Sequence, residues 1–320
     1  MFFTRAKTET IPLYVTIKDK SFTIAEKGKI LLEQKFSNDE TCFTAISSFL
    51  KKRKHPHAHF LLAGSRLVSQ TRIVRYAHPD LFAADESMRD RLIENTTQTF
   101  LDEYKAKNLK LIMKQPLSMT LNGYKVSELK HQKVSDMQIT VACAAINADY
   151  HKKISSPIES LPFREVAELY KKEKVEEFMV ASVHERTTDL SIRKQGGFFE
   201  TVTVPIGTEH VVEHLKNGLA ISETYALLNL SLYHEDKLDL SMQTKFEDAL
   251  SSFHISLDNE MKKALTTLSE GISLPSMIYL NVPATFIKAF ARAFRGDSYH
   301  SLCFSEKGFE VKNIEGIIIS

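Results

Sequence analysis

The chain has 320 residues, of which 43% are hydrophobic and 26% are charged, and its formal net charge is +2. This profile is typical of a soluble globular protein with one large domain or two to three smaller ones. The small net charge argues against a uniformly basic nucleic-acid binder, so no nucleic-acid partner is expected. Cys42, Cys143 and Cys303 are widely separated and lie in apolar contexts, which predicts buried, reduced thiols.

Neither a membrane span nor a signal peptide is predicted. No stretch reaches the roughly 18 apolar residues of a span, and Met1 to Thr10 lack the apolar core of a signal peptide. The C-terminal run Ile317-Ile318-Ile319 suits a strand better than a helix lying on a membrane. We therefore expect a cytoplasmic protein with no direct membrane insertion, which reaches the inner face of the cell membrane only through partners.

Three short strands, a helix and a fourth strand are predicted in the first third of the chain. The strands lie at Pro12 to Ile17, Ser21 to Ala25 and Gly28 to Phe36, the helix spans Thr41 to Arg53, and Phe60 to Leu62 fits the fourth strand.

A cationic and histidine-rich segment follows the first helix. Lys51 to Lys54 are consecutive cations, and His55, His57 and His59 occupy alternate positions. The favoured interpretation is a solvated helix end, because cations complement the C-terminal dipole and Pro56 ends the helix. An anion-binding surface and a metal site are the alternatives. No carboxylate or cysteine is spaced to complete a zinc set, so no metal is predicted.

The middle of the chain predicts a further mixed unit. A helix is expected at Ser87 to Tyr104, a turn at Asn122-Gly123 and an apolar strand at Met137 to Ile146. Ser156-Pro157 is the best linker between the halves, and a helix at Pro162 to Lys172 follows it.

A tight succession of elements comes next, between Phe178 and Leu219. Its predicted parts are a buried strand at Phe178 to Val183, a strand at Thr187 to Ile192, a hairpin at Gly196-Gly197, a strand at Phe199 to Val204, a break at Pro205-Ile206-Gly207 and a helix capped by Thr208.

The remainder predicts a helical region and a last strand–helix pair. Its elements are helices at Ser222 to Leu232, Ser241 to Phe253 and Leu257 to Gly271, a strand at Ser276 to Val282 and a helix at Thr285 to Phe294. Ser256 or Asp258 can cap the third of these helices.

Two of these segments carry a family resemblance. Arg186-Thr187-Thr188-Asp189-Leu190-Ser191 with Pro205-Ile206-Gly207 resembles the second phosphate-binding segment of the actin-like ATPases, most closely of the FtsA and PilM families. Gly123-Tyr124-Lys125-Val126 is similar to a turn in the small inserted subdomain of the same two families. The resemblance is strongest from about Gln115 to Phe294.

The resemblance implies an α/β protein with an actin-like (ribonuclease H-like) two-lobed fold and an FtsA/PilM-type inserted α+β subdomain. The first lobe is expected at residues 11–84, the inserted subdomain at 85–155 and the second lobe at 156–320. A helical part of the second lobe is expected at about 208–273.

The sequence departs from these families at three nucleotide-binding positions. An Asp-X-Gly of the second loop is replaced by Ser182 and His184, and the Asp and Gly of the first loop by Thr16 and Lys18. Pro283 lies where a third, glycine-rich segment contacts adenosine. Glycine allows a positive φ and close backbone approach to phosphates, and carboxylates hold magnesium. We therefore expect Mg-ATP binding and hydrolysis to be lost or weak.

Six residues occupy the positions of the vestigial phosphate loops. They are Lys18, Ser21, Arg186, Thr187, Thr188 and Asp189. They could still hold a phosphate weakly, and the alternative is that the hydroxyls satisfy backbone groups of the turn. No nucleophile elbow, P-loop or zinc-protease motif occurs, so no catalytic residue and no cofactor is predicted, with weak ATP binding left open.

By resemblance, the function implied is that of an FtsA-like scaffold of the cell-division or pilus machinery. It would be a pseudo-ATPase that binds FtsZ-like or pilus inner-membrane proteins, with possible self-association into filaments. The alternatives are a PilM-like pilus-assembly protein, a functional ATPase with altered phosphate and metal ligands, and a protein that shares only the fold.

Overall fold

A computed structural model describes residues 13–26, 29–53, 58–104, 108–129, 132–154, 156–194, 198–269, 274–294 and 310–313. Within them, three β-sheets with their helices form two lobes and an inserted unit. The predicted α/β class with two lobes and an α+β insertion is confirmed. The Gly196-Gly197 hairpin, His55 and His57, Cys303 and the Ile317 to Ile319 run lie outside the described residues.

The first lobe begins with a meander of three strands. Its elements are β1 (Leu13–Ile17), β2 (Ser21–Glu26), β3 (Lys29–Lys35), α1 (Asp39–Arg53) and β4 (Ala58–Leu62). β1 pairs antiparallel with β2 and parallel with β4. Leu13, Val15 and Ile17 are fully buried, as the alternation of a half-buried strand requires.

The inserted unit is a four-stranded sheet with one long helix on it. Its elements are β5 (Leu67–Ala84), α2 (Glu86–Glu103), β6 (Leu109–Leu121), β7 (Tyr124–Lys125) and β8 (Gln132–Asn147), in the order β5-β8-β6-β7. Asp85 caps α2 by accepting a 2.8 Å hydrogen bond from the Met88 amide. Asn122 and Gly123 both have positive φ, as a two-residue hairpin turn requires.

A return segment connects the insertion to the second lobe. It consists of α3 (Ala148–Lys152), β9 (Ile158–Ser160) and α4 (Leu161–Glu173). β9 pairs parallel with β4 and completes the first sheet, in the order β3-β2-β1-β4-β9. Ser160 caps α4, and Pro162 lies in the first turn, where its missing N–H costs nothing.

The second lobe repeats the topology of the first. Its elements are β10 (Phe178–Val183), β11 (Thr188–Lys194), β12 (Phe198–Val204), α5 (Thr208–Leu219), α6 (Glu223–His234), α7 (Leu240–Ser269), β13 (Met277–Asn281), α8 (Ile287–Ala291) and β14 (Glu310–Asn313). The sheet order is β12-β11-β10-β13-β14. As in the first lobe, two antiparallel hairpins precede two parallel neighbours.

The structure corrects three predicted helices and the cap of a fourth. The helices expected at 241–253 and 257–271 are one helix, α7, because its buried face continues through Phe253, Leu257 and Met261 at helical spacing. The helix expected at 285–294 is a short α8 flanked by 3-10 turns. Gly207, not Thr208, occupies the N-cap of α5.

The sheets divide the chain differently from the predicted boundaries. β5 lies within the predicted first lobe, yet it pairs with β8 over most of its length. β9 lies within the predicted second lobe, yet it belongs to the first sheet. Both are edge strands, and a strand's sheet is decided by pairing with distant residues rather than by its own pattern.

Two further expectations concern cysteines and membranes. Cys42 and Cys143 are buried free thiols, as predicted, and burial raises the pKa of Cys42 to about 12. Among the described residues, no helix has the length and apolar content of a membrane span.

The core of the second lobe offers a matched stability test on α7. Phe253 is fully buried against Phe290, whereas Ile255, two residues further along, is 64% exposed. We expect Phe253→Ala to lower the free energy of unfolding by about 3–5 kcal/mol through cavity formation. Ile255→Ala should change it by less than about 0.5 kcal/mol. Urea denaturation of both variants measures the difference, and equal effects would contradict this packing of α7.

Candidate functional site

Two tight turns, one from each lobe, meet between the sheets. The β1–β2 turn spans Lys18 to Lys20 and is closed by a 2.9 Å hydrogen bond from the Lys18 amide to the Ser21 carbonyl. The β10–β11 turn begins at His184, whose amide donates to the Thr187 carbonyl at 2.8 Å. Both turns join the first two strands of the repeated topology, which explains why they occupy equivalent places in the two lobes.

Asp19 connects the two lobes through its buried carboxylate. From the first lobe it accepts hydrogen bonds from the Ser65 amide at 3.1 Å and the Ser65 hydroxyl at 2.9 Å. From the second lobe it accepts from the Thr187 hydroxyl at 2.8 Å and the Arg186 amide at 3.3 Å. Burial alone raises the pKa of Asp19, but the hydrogen bonds from Ser65 and Thr187 outweigh it and lower the pKa below its usual value.

Asp189 makes the reciprocal connection from the second lobe. It accepts from the Gly64 amide of the first lobe at 3.1 Å and from the Thr203 hydroxyl at 2.6 Å. Its Oδ2 lies 3.0 Å from Nε2 of His184. Burial lowers the pKa of His184, but the hydrogen bond and charge of Asp189 outweigh this effect and raise the pKa above its usual value. We call Asp19, Gly64, His184, Thr187 and Asp189 the inter-lobe cluster.

Gly64 has the conformation and the space that only glycine tolerates here. Its φ is +68°, in the left-handed region. A Cβ at this position would lie 2.6 Å from Oδ1 of Asp19 and 2.9 Å from Oγ1 of Thr187. The close approach of the two lobes therefore depends on the missing side chain of Gly64.

Partly exposed ionic contacts surround the inter-lobe cluster. The Ser21 hydroxyl donates to the Glu185 carboxylate of the second lobe. Lys20 donates to Glu209 at 2.7 Å, and Arg186 reaches the same carboxylate at 3.3 Å. These exposed contacts add little stability individually, but they fix the register of the two turns.

The start of α5 is packed directly onto the second turn. The Thr208 and Glu209 amides donate to the carbonyls of His184 and Glu185 at 3.0 and 2.8 Å. A Cβ on Gly207 would lie 2.4 Å from the His184 carbonyl oxygen, so only glycine fits there. Two amides of the helix N-terminus are thus satisfied by the protein itself and are not free to hold an anion.

The structure brings five of the six predicted loop residues to the two facing turns. Lys18 and Ser21 flank the first turn, and Arg186, Thr187 and Asp189 flank the second. Thr188 turns away, because its hydroxyl donates to the Ile206 carbonyl at 2.7 Å. This contact is the one expected if the Thr188 hydroxyl satisfies a backbone group instead of binding a phosphate. A phosphate-binding role of the other five residues stays a prediction.

A cavity of about 480 Å³ remains beside the inter-lobe cluster. Lys18, Glu33, His184, Thr208 and Pro283 are among the residues that line it. The Nδ1 of His184 and the Oε2 of Glu185, which also lines it, are buried and have no hydrogen-bond partner. The cavity is therefore polar at the turns and apolar at the segment after β13.

A buried carboxyl group lies behind this cavity. Glu165 of α4 accepts from the Ser182 hydroxyl at 2.5 Å and from the Asn281 side-chain amide at 3.1 Å. Burial raises the pKa of Glu165 above its usual value. Ser182 is the residue that replaces the expected aspartate, and its hydroxyl is engaged with Glu165. Among the described residues, no cluster of three or more potential metal ligands occurs.

Sequence reasoning missed three residues of this site. Asp19, Gly64 and Glu165 were not singled out as site residues. Their partners are 17 to 168 positions away along the chain. The available signals were a charged residue flanked by two lysines in a tight turn and a glycine directly after a buried strand.

The repeated sheet topology, the insertion and the two facing turns define the fold of the actin-like ATPases. The structure is similar to that of a PilM-PilN type IV pilus biogenesis complex, with a TM-score of 0.64 and 12% identity over 95% of this chain and 88% of the other. At this identity the similarity establishes the fold alone. No protein-family model and no curated protein matches the sequence.

Two more distant structures were also found. An archaeal actin homolog has a TM-score of 0.46 and 8% identity, over 97% of this chain and 96% of the other. A Bacteroides thetaiotaomicron protein of unknown function with an actin-like ATPase fold has a TM-score of 0.42 and 9% identity, over 97% and 95%.

A matched pair of glycine substitutions tests the contact between the lobes. Gly64→Ala and Gly123→Ala both place a side chain at positive φ, but an added Cβ on Gly123 has no atom within 4 Å. We expect Gly123→Ala to cost about 1 kcal/mol of unfolding free energy from backbone strain. Gly64→Ala should cost roughly 2–4 kcal/mol, because it also displaces Asp19 and Thr187. Equal costs in urea denaturation would show that the lobes do not meet here.

The buried His184–Asp189 pair predicts a pH dependence of stability. The folded-state pKa of His184 is raised, so its contribution is complete below its unfolded pKa of about 6.5 and is lost as the pH rises through the folded value. The free energy of unfolding should therefore fall as the pH rises above about 6.5, and His184→Gln should remove this decrease.

His254 provides a control of opposite sign. Burial lowers its pKa, so its contribution to stability increases as the pH rises. That increase is complete at its unfolded pKa of about 6.5, so His254→Gln should remove a rise in stability below about pH 6.5 and leave the decrease at higher pH unchanged. Parallel pH profiles for the wild type and His184→Gln would contradict the role given to the His184–Asp189 pair.

Proposed function

We propose that this protein is a PilM-like docking protein of a type IV pilus assembly machinery, which works through protein contacts rather than through a cycle of ATP binding and hydrolysis. The observation that carries the proposal is the inter-lobe cluster, in which internal carboxylates take the place that an anionic ligand would need.

Backbone donors between the lobes are already occupied. The amides of Ser65 and Arg186 donate to Asp19, and the amide of Gly64 donates to Asp189. Nucleotide phosphates are commonly held by such backbone amides in turns. A triphosphate would have to displace two buried carboxylates, each of which would then lose its hydrogen bonds.

Electrostatics also disfavours a nucleotide. Asp19 and Asp189 are buried between the lobes, and Glu33 and Glu185 line the neighbouring cavity. Repulsion between two unit charges about 4 Å apart is on the order of 4 kcal/mol at an effective dielectric constant of about 20. Lys18 and His184 line the same cavity, but His184 is already paired with Asp189, so Lys18 is the cation that remains among the lining residues. The residues present do not fit a magnesium triphosphate.

Among the described residues, no group of three or more His, Cys, Asp or Glu side chains could hold a metal ion, although Glu185 keeps one buried carboxylate oxygen without a partner. Ser182 is neutral and bound to Glu165, whose raised pKa favours its protonated form. Both oxygens of Asp19 accept hydrogen bonds from protein groups. Magnesium is normally held by one or two free carboxylates together with substrate phosphates and water.

The similarity in fold to PilM supports a role in protein docking. The related structure is a complex of PilM with PilN, so a protein partner from the pilus machinery is the natural candidate for this chain. We infer a location at the inner face of the cell membrane, reached through that partner. A division role with an FtsZ-like partner and assembly into filaments remain predictions.

One titration tests both parts of the proposal. The protein is titrated with a fluorescently labelled PilN-like protein from the same organism, and binding is followed by fluorescence anisotropy with and without millimolar Mg-ATP. We expect micromolar binding that is the same in both conditions, because the cleft does not take up the nucleotide.

Calorimetry with Mg-ATP alone is the control for the nucleotide. No heat of binding and no release of phosphate are expected. Micromolar binding of Mg-ATP, or a partner affinity that depends on it, would overturn the pseudo-ATPase assignment. Binding to FtsZ but not to the PilN-like protein would instead favour the division machinery.

A further inference from the structure

Two residues that line the cavity beside the inter-lobe cluster each keep one buried polar atom without a partner in the described part of the chain. Oε1 of Glu185 accepts from the Ser21 hydroxyl, but Oε2 has no partner. His184 is 4% exposed; its Nε2 donates to Asp189, and its Nδ1 has no partner. Because a carboxylate only accepts, Nε2 carries the proton, and Nδ1 of the neutral ring is an acceptor. Buried polar atoms are normally hydrogen-bonded, so both atoms need a donor.

The charges around this cavity favour a cation. Glu33 and Glu185 line it with two carboxylates, and Lys18 sets one positive charge against them. The His184–Asp189 pair is neutral when the ring is protonated and negative when it is not, so it never adds a positive charge. An excess of negative charge raises the local concentration of small cations.

The size of the cavity and its second wall suit a small organic molecule. Its volume of about 480 Å³ lies in the range of small-molecule sites. Val282, Pro283 and Ala284 line it beyond the end of β13 and provide an apolar surface. A ligand that fits the whole cavity therefore has a donor group at one end and an apolar body at the other.

We propose that this cavity binds a small organic cation, with a primary ammonium group beside Glu185 and His184 and an apolar body against Pro283 and Ala284. An ammonium group has three N–H donors and no acceptor, which matches two unpartnered acceptors. A phosphate has mainly acceptors and would leave Oε2 of Glu185 unsatisfied. This site goes beyond the docking role and does not depend on it, because neither Mg-ATP nor a protein partner enters its test.

Three probes of nearly equal size and different charge test the proposal on the full chain. They are benzylamine, benzyl alcohol and benzoate. Binding is followed by NMR of ¹³C-labelled histidine rings, and the signal of His184 is identified by its loss in His184→Gln. We expect benzylamine to shift this signal with a Kd in the millimolar range, as its few atoms allow, and at least tenfold more tightly than the alcohol or the benzoate.

A matched pair of variants separates a local contact from a general charge effect. Glu185→Gln keeps an oxygen for Ser21 but replaces the unpartnered oxygen by a donor, so it should weaken benzylamine binding at least tenfold. Glu209→Gln removes the same charge from a carboxylate that binds Lys20 and is not among the lining residues, and it should leave the affinity unchanged. Thermal melting checks that both variants are folded.

A third variant tests the apolar end and leaves both turns intact. Ala284→Leu adds three carbon atoms to the apolar wall of the cavity. We expect it to weaken benzylamine binding about tenfold by occupying the space of the ring, with no change in the partners of Glu185.

The pH dependence of binding gives a readout that a structural role of His184 would not produce. Burial lowers the pKa of His184, but Asp189 raises it above its usual value of about 6.5, and the charges of Lys18, Glu165 and Asp19 also act on it. The cation binds beside the neutral ring. Its affinity should therefore increase as the pH rises above about 6.5 and His184 loses its proton, and His184→Gln should abolish this increase.

Four results would overturn the proposal. They are no shift of the His184 signal at 50 mM benzylamine, which would leave the cavity to water; benzoate binding as tightly as benzylamine, which would make Lys18 the recognition group; an affinity that Glu185→Gln does not change; and equal losses in Glu185→Gln and Glu209→Gln.

Discussion

Two buried carboxylates, Asp19 and Asp189, hold the lobes of this protein together. Each is anchored in its own lobe and accepts a hydrogen bond from the other, through Thr187 and Gly64. Buried charges are stable only when they are fully hydrogen-bonded, so neither carboxylate tolerates separation of the two turns. The cavity lies beside this contact, and α5 is seated on the second of the two turns.

The repeated topology explains why the contact forms at this place. In each lobe the first two strands form a hairpin and the first strand pairs in parallel with a later one, so the hairpin turn and the end of the parallel strand lie at one edge of the sheet. Open α/β sheets place their ligand sites at such edges. Here the carboxylates of Asp19 and Asp189 occupy that edge. The backbone amides that could hold an anionic ligand hold these two internal carboxylates instead.

Much of the architecture was predictable from local pattern. Alternating strands, the Asn122-Gly123 turn and a helix close to the expected Ser87 to Tyr104 all follow from residue type and spacing. The pairing of β9 was not predictable, because it depends on a strand far away in the sequence. The continuous α7 was missed because Ser256 is equally able to cap a helix and to lie on its exposed side, where it donates to Ser252 within the helix. The roles of Gly64 and Glu165 arise only from folded neighbours.

The unbroken course of α7 has a mechanical consequence. Its 30 residues form a rod about 45 Å long. α5 packs closely against it, because a Cβ on Gly218 would lie 2.7 Å from that of Ala249, and the start of α5 rests on the turn that contains His184. A tilt of about 10° at one end of such a rod displaces its tip by about 8 Å. Small rearrangements between the lobes would thus be amplified into a large displacement at the far end of the helical region.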